Sequence, residues 1–122
     1  MATATLTPTS PKTLPETRLF QWDLGTLTSS DTFPSQELSG NADRSVQLIG
    51  AAGGGGFNGC TVVIEGSNDN TNFQTLTDGL GNPLSFTAAG LKQICECVRY
   101  IRPKVSSGTA GTTLTALIFT RV

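Results

Sequence analysis

Residues 60–76, CTVVIEGSNDNTNFQTL, decide how this chain folds. Thr61, Val63 and Glu65 alternate with Val62, Ile64 and Gly66, the period-two signature of a strand with one face in a core, so Val62 and Ile64 are expected inside. Gly66-Ser67-Asn68-Asp69-Asn70-Thr71-Asn72 then gathers seven turn-forming residues, where Asx side chains bond their own backbone and glycine tolerates positive φ. The chain reverses, and Phe73-Gln74-Thr75-Leu76 returns as a second strand with Phe73 expected to plug the open end of a sandwich.

The same alternation recurs on both sides. Residues 18–24, RLFQWDL, place Phe20, Trp22 and Leu24 on one face and Gln21 and Asp23 on the other, which predicts a buried tryptophan. Pro34 restricts any strand near it to an edge. Residues 44–50 form a strand with Val46 and Leu48 inward, Leu84 and Phe86 face inward from a short one, and residues 98–105 carry Ile101 and Val105 inward with Tyr100, Arg102 and Lys104 outward. Pro103 places that strand at an edge or a bulge. Residues 113–122 close the chain with Leu114, Ala116 and Ile118 on one face and Leu117 and Phe119 on the other. That second apolar face predicts an interface worth roughly 3–6 kcal/mol before association costs, or else packing beneath the N-terminal segment.

With 122 residues there is room for one two-layer domain. Seven or eight short strands, small-residue turns and no amphipathic helix predict an all-β, two-sheet antiparallel sandwich over residues 18–122. Residues 1–17 are rich in threonine and punctuated by Pro8, Pro11 and Pro15, which predicts an extended N-terminal arm. At roughly 3.3 Å per residue it would span about 50 Å, enough to reach a neighbouring subunit.

Composition argues against several functions. Charged residues make up 14% of the chain and the net charge is −1, which offers no footprint for nucleic acid. No apolar run approaches the roughly 20 residues of a membrane helix, and the first residues lack the pattern of a secretion signal. There is no histidine, so a Ser-His-Asp or Cys-His centre cannot be assembled from this chain. Glu65, Asp69 and Asp78 are candidate catalytic or Ca²⁺-binding acids, but the two aspartates lie in turn strings that account for them. The glycine run 53–56 lacks the Gly-Lys-Ser/Thr and following helix of a phosphate loop and reads as a connector, with Phe57 at a tip facing a partner. Cys60, Cys95 and Cys97 are expected as reduced thiols in buried, structural roles. No catalytic residue, cofactor or metal is expected.

Three strings, Ile64-Glu65-Gly66-Ser67-Asn68-Asp69 with Thr71-Asn72-Phe73 and Thr75-Leu76, then residues 84–91, LSFTAAGL, then residues 99–105, RYIRPKV, resemble in order the (V/I)xGSNDGTNWxTL, LTFTAAGL and xRYIRPxV segments of tailed-bacteriophage capsid cement (decoration) proteins. The resemblance covers about the last half of the chain. It implies a jelly-roll fold, a structural role on the outer surface of a phage capsid, the major capsid protein as partner, and a homo-oligomer, dimer or trimer, on the shell. On that reading the partner-binding residues are Leu6, Pro8 and Leu14 of the arm, Phe57, Tyr100, Arg102, Leu117 and Phe119. Similar hairpin strings occur in carbohydrate-binding sandwiches, so the alternative is a sugar-recognising adhesin module that stacks its ligand on Trp22 or Tyr100.

Overall fold

The structure, a computed structural model, describes residues 5–9, 17–38, 43–50, 57, 59–110 and 114–121. Among these there is no helix, and the strands are β1 (Thr5–Thr9), β2 (Thr17–Asp23), β3 (Gln36–Glu37), β4 (Asp43–Ile49), β5 (Thr61–Ser67), β6 (Gln74–Thr75), β7 (Ser85–Phe86), β8 (Gly90–Gln93), β9 (Tyr100–Ser107) and β10 (Thr115–Arg121). They form two antiparallel sheets. The first has the order β1-β2-β10-β4-β8, the second β3-β9-β5-β6, with β7 also on β5.

The pairing is nested. Setting β1 aside, the first strand pairs with the last (β2 with β10), the second with the next to last (β3 with β9), then β4 with β8, and β5 with the short pieces β6 and β7. This is one long hairpin wound upon itself, and winding brings β10 against β4 and β9 against β5. Such an order is that of a jelly roll.

The core lies where the alternations of both sheets meet. Phe20, Trp22, Val46, Leu48, Ala116 and Ile118 come from the first sheet, and Val62, Ile64, Phe86, Ile101 and Val105 from the second, all buried. Trp22 is fully buried, and its indole Nε1–H donates to the Pro34 carbonyl at 2.8 Å, satisfying the one polar group of the ring. Pro34 precedes β3, an edge strand as its presence requires. Pro103 sits in β9 opposite Ile64; β3 covers only Tyr100 and Ile101, and among the described residues no strand pairs with that side of β9 from Arg102 to Val105, which accommodates a residue without an N–H.

Three expectations change. Thr5–Thr9, assigned to an extended arm, form a strand that pairs with Leu19–Asp23 of β2, with Leu6 opposite Trp22 and Pro8 opposite Phe20. This part of the segment therefore lengthens the first sheet at its edge and does not cross over the outer face of β10. Phe57, expected at an outward tip, is 6% exposed and packs in the core, because the Cys60 N–H donates to its carbonyl at 2.8 Å and turns the chain inward ahead of β5. Phe73 does not plug the sandwich; it is half-buried on the outside of the second sheet. Leu14 and the glycine run lie outside the described residues.

Candidate binding surfaces

In β10 the burial alternates strictly, so Ala116, Ile118 and Thr120 point into the core while Thr115, Leu117 and Phe119 point out and remain half-buried. Antiparallel register fixes their neighbours, since residues directly opposite share a face. Phe119 lies between Leu19 of β2 and Ser45 of β4, with Gln93 of β8 beyond. Leu117 lies between Gln21 and Gln47, with Leu91 beyond. No side chain in these two rows of β2, β10, β4 and β8 carries a charge. Charge appears only at their ends, as Asp23 at one and the exposed Arg121–Asp43 ion pair (2.9 Å) at the other. Phe119 also forms one wall of an open hollow of about 320 Å³ shared with Asp43, Ser45, Gln93 and Arg121. Leu117 and Phe119 are thus brought together as the sequence predicts, and Leu19 and the 67%-exposed Leu91 join them. Leu19 was legible in principle, because it sits in phase with Gln21 and Asp23.

The outside of the second sheet is built differently. Arg102 of β9 stands opposite Glu65 of β5, and its Nε–H donates to Glu65 Oε1 at 3.1 Å while its guanidinium lies 3.7 Å above the Phe73 ring. Arg99 donates to Glu37 Oε2 at 2.7 Å and stands 5.2 Å from the centre of the Tyr100 ring. The Glu37 carboxylate holds the Arg99 guanidinium above its ordinary pKa. Tyr100 and Arg102, expected among the partner-binding residues, are half-buried and engaged within this molecule.

At one end of that sheet the 66–72 turn is organised by Asp69. Its carboxylate accepts from the Thr71 and Asn72 backbone N–H groups (2.9 and 2.8 Å), the Asn72 side-chain amide (2.7 Å) and Ser67 Oγ (2.7 Å). These bonds, that from the Asn72 N–H foremost, hold Asp69 well below the usual carboxylate range. Asp78 plays the same part in the next turn, accepting from the Asn82 and Leu80 N–H groups at 3.0 and 2.9 Å, and is likewise held low. Glu65 is in the Arg102 pair. The three candidate acids therefore have structural partners and do not converge on one another in any contact of the structure.

Trp22 is sealed in the core and has no face for a sugar to stack on. The thiols also differ from expectation. Cys60 is buried, and burial pushes its thiol pKa up, but Cys95 and Cys97 are exposed. Burial alternates along their run, with Ile94 buried and Val98 packed on the core, and the odd-numbered side chains face out.

No protein-family model and no curated protein matches this chain. Among solved structures, the chain is similar in fold to the crystal structure of SPBc2 prophage-derived protein YomS, with a TM-score of 0.61 over 97% of this chain and 96% of that one, at 10% sequence identity.

Proposed function

We propose that this chain is a structural virion protein that binds the outside of a phage capsid and cements neighbouring major capsid subunits, stabilising the head without chemistry of its own. The observation that carries this reading is the pair of uncharged rows in the middle of the outer face of the first sheet, where Leu19, Leu117 and Phe119 lie side by side on a five-stranded support. Three further facts support it: the ordered strings that resemble cement proteins, the jelly-roll strand order, and the fold likeness to a prophage-derived protein. An uncharged surface with apolar side chains, set in a hydrogen-bonded sheet, adds buried contact area across a subunit boundary at little conformational cost. The arm residues Leu6 and Pro8 serve this role only through β1, which widens that sheet.

The adhesin reading has lost its main platform with the burial of Trp22. Incubating the purified protein with expanded phage heads and sedimenting them tests the proposal. Co-sedimentation saturating at a fixed copy number per head is expected. Binding to glycans on an array with none to heads would overturn it.

A further inference from the structure

Strand β8 stops at Gln93, opposite Ser45 of β4. After one last hydrogen bond to that strand, from the Ile94 N–H to the Arg44 carbonyl at 3.0 Å, the chain leaves it and the Cys95 N–H donates to the Thr77 carbonyl at 2.9 Å. Among the described residues no strand flanks Asp43 on the side away from β10, and the outer face of the first sheet opens there into the hollow of about 320 Å³. Phe119 is its apolar wall, Ser45 lies between Phe119 and Gln93 in the register, and the Asp43–Arg121 pair stands at the end. Arg44 also lines it, but that side chain is buried and its guanidinium donates to the Val98 carbonyl at 2.7 Å.

A second open hollow, of about 330 Å³, adjoins the first at Gln93, which lines both. Its other walls are Asp78, Gly79, Leu80 and Lys92. Gly79 lies against the shared residue: a Cβ there would stand 2.9 Å from Gln93 Oε1. Both volumes fall at the small end of the roughly 300–1,000 Å³ range of ligand sites.

The two hollows have the same make-up. Each has one apolar side chain, Phe119 in the first and the 88%-exposed Leu80 in the second, and each has one acid and one base, Asp43 with Arg121 and Asp78 with Lys92. The Asp78 carboxylate accepts from the Leu80 and Asn82 N–H groups, so Lys92 and Gln93 are the second hollow's polar groups for a ligand. Neither hollow has a net charge to concentrate an ion of one sign, and both are too polar for a greasy ligand. A pyranose ring suits such a lining. Its C–H face lies on the apolar side chain, and its hydroxyls both donate to carboxylate or amide oxygens and accept from guanidinium, ammonium or amide N–H groups. The same lining repeated on either side of one amide matches a ligand that itself repeats.

We infer that the two hollows form one groove for a neutral linear oligosaccharide, with a ring in each and the Gln93 amide at the linkage between them. Phe119 borders both this groove and the docking face proposed above, but the inference goes beyond the capsid reading and is tested on the free protein, without heads.

The test titrates the full-length protein with neutral oligomers of glucose and of N-acetylglucosamine, from single rings to hexamers, by calorimetry and by amide chemical shifts. Saturable binding of at least one series is expected, with two rings bound roughly tenfold tighter than one because the second ring binds intramolecularly. Shifts should centre on Ser45, Gly79, Gln93 and Phe119. Gln93→Ala and Asp43→Ala, both at exposed positions, should each weaken binding of the disaccharide at least fivefold while the melting temperature holds. No saturation by any member, equal affinity for one ring and two, tighter binding of a sulfated chain than of its neutral parent, or unchanged affinity in the Gln93 variant would each overturn the inference. Sugar binding alongside head binding upholds both readings, and head binding without sugar binding sinks only this one.

Discussion

On the outside of the second sheet Arg102 is engaged twice, by the Glu65 carboxylate and by the Phe73 ring, and Arg99 twice more, by Glu37 and Tyr100. On the outside of the first sheet Leu117 and Phe119 sit in rows of uncharged residues, with the Asp43–Arg121 pair beyond Phe119, and each side chain keeps part of its surface exposed. Both faces are made by the same alternation of strand residues, yet one satisfies itself and the other is left with apolar surface in water. A face whose polar groups are paired internally gains little from a partner. An apolar one gains whatever area the partner covers.

The strongest way to break this contrast is to make the apolar face polar. Leu117→Ser/Phe119→Ser should leave the monomer folded and weaken head binding by on the order of 2–3 kcal/mol, roughly a hundredfold in Kd. Loss of the circular dichroism signature of the fold in that variant would mean the two side chains belong to the core. Next in size is Gly66→Ala in β5. A Cβ there would overlap Val98 Cγ2 and come within 2.9 Å of Leu76 Cδ2, so overpacking should cost about 1–3 kcal/mol in urea unfolding while head binding per folded molecule is unchanged. Arg102→Ala sharpens the comparison from the other side: it removes a partly buried ion pair and a stacking contact together, costing about 1 kcal/mol, part of it lost in high salt, and should not alter head binding. An equal loss of binding would move the docking face to the second sheet.

Acid gives the smallest effect. Asp69, Asp78 and Glu96 all have pKa values lowered in the fold; for Glu96 burial works the other way and the Thr77 hydrogen bonds outweigh it. Carboxylates held low contribute stability that is present above their unfolded values, near pH 4, and is lost as pH falls through the folded ones. The melting temperature should be flat from pH 7 to about 5 and decline below about 4, and Asp69→Asn should make that decline shallower. An unaltered acid limb would show that the 66–72 turn does not sense its carboxylate.

Much of this fold can be read from local pattern. Val62 and Ile64, Phe20 and Trp22, Ala116 and Ile118 each announce their inward face by period two, and the outward placement of Leu117 and Phe119 follows. Period two names a face but not what stands opposite it. Phe73 fits the pattern of a core residue until Arg102, some thirty positions later, supplies a cation to stack upon. Cys95 and Cys97 occupy alternating positions as expected, but only the anchoring of Ile94, Glu96 and Val98 by distant Arg44 and Thr77 decides which set faces out. Phe57 is turned inward by one hydrogen bond to Cys60, and the pairing of β1 depends on an edge of β2 that the sequence does not mark.

The nested order of pairing has a consequence for synthesis. Strand β2 is synthesised well before β10, its central neighbour, so Leu19 meets Phe119 only after the strands between them have been made. Because such distant closures dominate, the fold gains its stability late and slowly. A product cut short before β10 cannot set Phe119 beside Leu19, so it lacks the apolar face altogether.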